Sequence, residues 1–363
     1  MVMLSTERGC LVISDLSGYT GYLRDTELEH AQNVLADLTE TIVSHLRPAL
    51  RIIRLEGDAV FGYALTTNID PSILLDAIDS TYFAFRSRLR NIEHATTCRC
   101  NACVQIPLLD LKFVAHFGDF VRSRVAGHED LTGTDVIVVH RLLKNSITEK
   151  LGLRGYTFLS EACITALELD PNALGMNEHR EQYGDVGVVA GYVIDMDQRW
   201  RQEQERTRLY VTSPEAQFEF SAELPASPAL IWDYFTTPAK RLLWQPEFNR
   251  IDQTNPGGRR GPGTTNHCVH GRGAIVEEIL DWRPFDYYSV RLTLPGLGKW
   301  TQTVELGPQS KGSTEVAIRG ERLRGARGLM LRAMNGTLQR NLTKNIDRLR
   351  KVVGPPDDEL SQP

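Results

Sequence analysis

Asp15 and Asp58 are the residues of this chain best placed to do chemistry. Each stands beside glycine at the end of an apolar run, in Val12-Ile-Ser-Asp-Leu-Ser-Gly-Tyr-Thr20 and Arg54-Leu-Glu-Gly-Asp-Ala-Val-Phe61. A carboxylate at such a point can leave a sheet and face a ligand. Two together suit Mg²⁺ or Mn²⁺, hard cations usually held through one or two carboxylates plus substrate phosphates. Asp and Gly are also the ordinary residues of tight turns, and either segment alone reads as a turn. A second group, His94-x₃-Cys98-x-Cys100-x₂-Cys103, offers four ligands in a short stretch and suits a structural, tetrahedral Zn²⁺. Without metal these are reduced thiols in a loop or a redox-sensitive pair.

Regular elements must position these residues. Residues 10–16 read as a buried strand. A helix follows over 27–47, where Ala31, Val34, Leu35, Leu38, Ile42, Val43 and Leu46 recur at three- and four-residue steps until Pro48 closes it. Arg51 to Leu55 and Ala59 to Ala64 read as a hairpin with Asp58 at its tip. A helix over 71–92, a strand over 109–117 and a helix over 136–143 opened by Thr134 or Asp135 come next. Strands at 156–159 and 187–195 close the first half. His116, flanked by Ala115 and Phe117, reads as a core histidine with its hydrogen bonds satisfied. This order predicts an α+β sandwich with helices on one or both faces.

Residues 197–213 are strongly polar and read as a linker or bridging helix. The second half opens with a strand at 218–224 and a capped helix entry at Pro225-Ala-Ser-Pro-Ala-Leu-Ile-Trp-Asp-Tyr-Phe235. Strand-like runs fill 264–319, and a long helix carries Leu331, Met334, Leu338, Leu342, Ile346 and Leu349 as an apolar stripe. Residues 354–363 read as a disordered tail.

At 363 residues the chain is long enough for two domains, and its 41% hydrophobic and 24% charged content is that of soluble globular protein. A net charge of −5 argues against a general nucleic-acid binder. The first residues do not form a secretory signal, and no apolar run approaches the ~18 residues of a membrane span. The expected location is the cytoplasm, where crowded cysteines suggest metal more than disulfide.

In order and spacing, four segments within residues 9–196 resemble the catalytic domain of class III nucleotidyl cyclases, the adenylate/guanylate cyclase type, a ferredoxin-like α+β sandwich. Asp15-Leu-Ser-Gly-Tyr-Thr20 resembles that family's first metal motif, and Gly57-Asp58 its second. The resemblance implies Mg²⁺ or Mn²⁺ on Asp15 and Asp58, with Ser17, Gly18, Tyr19 and Thr20 cradling phosphates. Lys112-Phe-Val-Ala-His-Phe-Gly118 resembles the strand whose basic residue, here Lys112, meets the triphosphate. Asp130-Leu-Thr-Gly-Thr-Asp-Val-Ile-Val-Val-His-Arg141 has the spacing of the motif in which an acid precedes the helix and a catalytic arginine follows. Arg54 and Asp130 fall where the family reads the base. Two departures stand out: Arg54 replaces a lysine, and Ile137 replaces the asparagine that positions the ribose. Asn145, one turn beyond Arg141, is the candidate substitute. The family forms its sites between two subunits, so a homodimer acting on a nucleoside triphosphate is implied. A non-catalytic nucleotide-binding signalling protein is the alternative.

Residues 216–353 resemble the START-like helix-grip fold, the group that includes polyketide cyclases/aromatases and lipid-binding proteins. The resemblance lies in the opening strand, the helix entry, Trp244-Gln-Pro-Glu247 and the long closing helix. It implies a cavity for an apolar small molecule or lipid, with Trp244, Tyr287, Tyr288 and Trp300 as expected lining. A carrier of an apolar ligand is a third reading of the whole chain.

Overall fold

The computed structural model describes residues 5–354 except 25, 27, 67–69, 96–104, 126, 271–272 and 310–311. The Cys98, Cys100 and Cys103 cluster lies outside the described residues, as do the side chain of His94 and the tail beyond residue 354. The chain forms two compact units, Met1–Arg206 with Gly257–Arg259, and Thr207–Pro256 with Arg260–Pro363. Both are mixed α+β structures.

The first unit runs β1 (Thr6–Ser17), α1 (Tyr19–Arg24), α2 (Leu28–Leu46), β2 (Arg51–Glu56), β3 (Ala59–Leu65), α3 (Pro71–Ala95) and β4 (Asp110–Val125). It continues with β5 (His128–Thr132), α4 (Thr134–Leu142), α5 (Ile147–Leu151), β6 (Tyr156–Ser160), α6 (Glu161–Ala166), β7 (Asn177–Tyr183), β8 (Gly187–Asp195) and α7 (Met196–Glu205). The sheet order is β2-β3-β1-β4-β6-β8-β7, with β5 paired to β4. Only β4 and β6 pair in parallel among the described strands. One face packs against α2, α3, α6 and α7 through Leu38, Ile42, Leu74, Ile78, Cys163 and Trp200. The other packs against α4 through Val138, Val139 and Leu142. Covered on both sides, β1 is buried without a break from Gly9 to Ser14, which is why its sequence is nearly continuously apolar.

α4 is not opened by a side-chain cap from Thr134 or Asp135, as the sequence suggests. Gly133 holds the cap position with φ 155°, and the Asp135 carboxylate turns to β4 instead. There Oδ2 accepts the Asp119 amide at 2.7 Å, and Oδ1 lies 3.1 Å from His116 Nε2. The other ring nitrogen of His116 is 2.8 Å from Ser160 Oγ. His116 is thus a satisfied core histidine, and it ties α4 to the sheet. Gly118 makes this possible, because a Cβ there would lie 2.2 Å from the Asp135 carboxylate. Gly118→Ala is therefore expected to destabilise the first unit by about 1–3 kcal/mol through overpacking. A thermal melt that matches wild type would refute this tie.

The second unit runs β9 (Ala216–Leu224), α8 (Pro228–Thr236), α9 (Pro238–Trp244), β10 (Arg250–Thr254), β11 (Thr265–His270), β12 (Gly273–Arg283), β13 (Tyr287–Leu294), β14 (Gly298–Pro308), β15 (Thr314–Glu321) and α10 (Gly325–Val353). Its antiparallel sheet is ordered β10-β11-β12-β13-β14-β15-β9, a meander with the first strand at the far edge. Ser227 caps α8 by accepting the Leu230 amide, with Pro228 at the first helical position where no amide is needed. Ahead of β9, residues 209–211 bond to one sheet face, Leu209 N to Asp281 at 3.0 Å and Val211 N to Thr303 Oγ1 at 2.9 Å. Leu338 and Leu342 of α10 line a cavity shared with the opposite face. The polar stretch after residue 196 therefore divides. Its first part is α7, which buries Met196 and Trp200 in the first unit.

Candidate functional site

The sheet brings Asp15, Asp58 and Lys112 to one place. Asp15 on β1 stands directly opposite Lys112 on β4, and Lys112 Nζ lies 3.0 Å from Asp15 Oδ2. Asp58 sits in the tight turn between β2 and β3, where Gly57 takes φ 68°, a conformation that glycine adopts without strain. The turn carries Asp58 close enough to Asp15 for the two carboxylates to act on each other. Half-burial, and then the negative charge of Asp15, push the Asp58 carboxyl up to about 6.

This pair fits a hard divalent cation, because two crowded carboxylates with one ammonium beside them leave negative charge uncompensated. No group of three or more His, Cys, Asp or Glu that could hold a metal gathers among the described residues. Phosphate and water would have to complete a coordination shell built on Asp15 and Asp58. Nearby, β1 ends at Ser17, and the positive φ of Gly18 turns the chain into α1. The amides of Tyr19 and Thr20 precede the first helical bond, made by Tyr22 N to Gly18 O at 3.0 Å. Ser17 Oγ donates to Arg154 O at 2.9 Å, so its hydroxyl is already engaged. Asp58 also borders an open groove of about 480 Å³ whose walls include Leu16, Tyr19, Leu35, Val43 and the exposed Leu55.

Arg54 and Asp130 meet as an ion pair, and Arg54 also bonds Glu56. Asp130 lies on β5, a strand that its polar sequence His-Glu-Asp-Leu-Thr concealed. Glu56 Oε1 is 3.1 Å from His140 Nε2. Burial raises the Glu56 carboxyl, but hydrogen bonds from His140 and Arg54 outweigh it and hold the group below its usual range. Phe61 carries both the Arg54 guanidinium at 5.3 Å and the edge of His140 at 4.9 Å. Glu56 and His140 were not singled out from sequence. The signal available was that Glu56 shares a strand face with Arg54, two residues away.

The side chains of Arg141 and Asn145 bond elsewhere. Arg141 donates twice to Asp185 Oδ2, at 2.9 and 2.5 Å, in the turn between β7 and β8. That hairpin is at the sheet edge opposite the β2–β3 turn. The bond from Arg141 holds the exposed Asp185 carboxyl below its ordinary value. Asn145 is a corner residue. Its Nδ2 donates to Leu142 O at 2.7 Å, and its Oδ1 accepts Ile147 N at 3.0 Å and the Tyr156 hydroxyl at 2.9 Å. Ile137 is 53% exposed, so an apolar side chain faces solvent where the cyclase pattern has an amide.

In the second unit Trp244, Tyr288 and Trp300 line a cavity of about 220 Å³. Tyr287 does not. Successive strand residues alternate faces, and Tyr287 turns away to donate to Asp281 Oδ2 at 2.7 Å and pack edge-on against Tyr210. Sequence reading also missed the cavity's polar end. Arg241 forms a two-pronged bond to Glu277, Nη1 to Oε2 at 2.6 Å and Nη2 to Oε1 at 2.9 Å, with both side chains buried.

Residues 35–151 match the family described as "Protein of unknown function (DUF2652)", and residues 215–354 match "Polyketide cyclase / dehydrase and lipid transport". The "Uncharacterized protein Rv2561/Rv2562" of Mycobacterium tuberculosis (strain ATCC 25618 / H37Rv) is 31% identical over 162 residues, 45% of this chain and 73% of that protein. The chain belongs to that mycobacterial protein's family. Among solved structures, this family member is similar to a bacterial light-regulated adenylyl cyclase at 12% identity and TM-score 0.40, over 56% of this chain and 59% of that one. It is similar to the guanylyl cyclase Cya2 at 15% identity and TM-score 0.40, over 52% of this chain and 93% of that one. The chain thus spans less than two thirds of the light-regulated enzyme. No helix among the described residues of this family member is long and apolar enough to cross a membrane.

Proposed function

We propose that residues 9–196 form a metal-dependent nucleotidyl cyclase, a lyase that converts a nucleoside triphosphate to its 3′,5′-cyclic nucleotide and pyrophosphate. Residues 216–353 bind a small apolar molecule that regulates it. The observation that carries this reading is the meeting of Asp15, Asp58 and Lys112 from three separate segments, with an uncompensated carboxylate at its centre.

Asp15 and Asp58 would hold Mg²⁺ or Mn²⁺. When bound, the metal lowers the pKa of the attacking hydroxyl and neutralises charge on the phosphates. Lys112 would exchange its contact with Asp15 for the triphosphate, adding positive charge where the pyrophosphate leaves. The amides of Tyr19 and Thr20, free of helical acceptors, would orient phosphate oxygens. The 3′-oxygen then bonds to the α-phosphorus as the bond to pyrophosphate breaks, and the hydroxyl proton passes to water. Arg54, braced by Asp130, Glu56 and Phe61, would present one face of its guanidinium to the base. It is not equivalent to an ammonium, so base preference need not follow the usual pattern.

Arg141 would stabilise the transition state from a second copy of the chain. In a single copy its guanidinium engages Asp185. The apolar groove beside Asp58, with Leu55 exposed, is a surface that such a copy would cover. Asn145 is left out of the mechanism, because its amide already holds the α4–α5 corner.

One observation favours a second reading, nucleotide binding without turnover: exposed Ile137 supplies no hydrogen bond to a ribose. Incubating the purified protein with Mn²⁺ and each nucleoside triphosphate, followed by mass spectrometry, separates the two. Cyclic product is expected. Micromolar nucleotide binding with no product would establish the second reading instead.

A further inference from the structure

The cavity of the second unit has a composition that narrows its ligand further than "apolar". This inference rests on the ligand-binding reading of residues 216–353. At about 220 Å³ the space is not much larger than the ~150 Å³ cavity that holds benzene, and smaller than the ~300–1,000 Å³ typical of drug-sized sites. One or two rings fit it, and a two-chain lipid does not. Its walls include the rings of Phe218, Phe235, Trp244, Phe248 and Trp300, surfaces against which a flat molecule packs well.

At one end the lining turns polar, yet carries no net charge. Glu277 is well satisfied: it takes two bonds from Arg241 and one from Asn266 Nδ2 at 3.0 Å. Arg241 Nε donates to Gln245 Oε1 at 2.9 Å, and its guanidinium lies over Phe248 at 5.7 Å. Burial alone would raise the Glu277 carboxyl, but Arg241 holds it below its usual value. Both charges therefore persist and cancel. An anionic ligand would add an uncompensated buried charge, and so would a cation.

Against this neutral corner stands Tyr288. It is 9% exposed and lines the cavity, and its hydroxyl has no hydrogen-bond partner among the described residues. Burial pushes that phenol well above its ordinary value, so it stays protonated at any physiological pH. The hydroxyl opens on the cavity rather than being sealed in the core, so a ligand oxygen there can accept its hydrogen bond. We propose that the second unit binds an uncharged molecule of one or two rings bearing a carbonyl-type oxygen, which accepts the hydrogen bond of Tyr288.

Titration of the full chain with three probes of similar size tests this: 1-tetralone, its oxygen-free analogue tetralin, and the anion 2-naphthoate. At pH 7.5, 1-tetralone is expected to bind about tenfold more tightly than tetralin, with 2-naphthoate weakest. Tyr288→Phe, nearly isosteric, is expected to remove the ketone's advantage and leave tetralin's affinity unchanged. Tighter binding of 2-naphthoate, or a ketone advantage that survives in Tyr288→Phe, overturns the proposal while leaving ligand binding intact. Failure of all three probes to bind removes the ligand-binding reading as well.

Discussion

Asp58→Ala is expected to abolish Mn²⁺-dependent cyclic nucleotide formation, by about three orders of magnitude or more. Losing a metal ligand forfeits several kcal/mol of charge stabilisation, and each ~1.4 kcal/mol is tenfold in rate. The same substitution should stabilise the metal-free protein at neutral pH. Asp58 has its folded value raised from 3.8 to about 6, so the folded state holds its proton more tightly than the unfolded chain does. Its contribution is then fully favourable below about pH 4 and is lost as pH rises through 6. Above that, the folded protein carries a repelled carboxylate. The full shift is discounted for solvent screening at this half-buried site, which leaves a penalty of about 1–2 kcal/mol at pH 7.5. Thermal melts of wild type should therefore show Mn²⁺ stabilisation growing between pH 5 and 7, and Asp58→Ala should show none. Equal Mn²⁺ stabilisation in both proteins would move the metal elsewhere.

Glu277→Ala is expected to have the largest effect on stability, a loss of about 3–5 kcal/mol from the second unit. The deletion leaves the Arg241 guanidinium buried with Gln245 and Phe248 and no countercharge. It also strips the acceptor from Asn266. Removing both charges together, in Arg241→Met with Glu277→Met, should recover most of the loss, since a buried pair contributes little net stability against apolar residues of similar size. Calorimetry of the single and double variants checks this. A single variant within about 1 kcal/mol of wild type would mean that water reaches the pair.

Much of the first unit's site was legible because punctuation is local. Asp15 and Asp58 end apolar runs next to glycine, and the β2–β3 turn follows from the Glu-Gly-Asp tripeptide alone. The helix expected over 27–47 spans Leu28–Leu46, since its apolar period is strong. What escaped depends on register between distant segments. Glu56 and His140 are 84 residues apart, and nothing in either neighbourhood announces their contact. β5 escaped because a strand at the rim, paired only to β4, can be polar. Tyr287 was misplaced for a simpler reason: strand alternation forbids it from sharing a face with Tyr288. The Arg241–Glu277 pair was hidden because sequence carries no sign that an arginine in a short helix is buried.

The Arg141–Asp185 pair gives the resting chain a parking place for its most exposed catalytic candidate. Both partners face solvent, at 44% and 48% side-chain exposure, and an exposed pair of this kind adds little to stability. Its effect is on availability. On the proposed reading, an incoming phosphate would have to displace Asp185 to reach Arg141, at a cost no larger than the small worth of so exposed a pair.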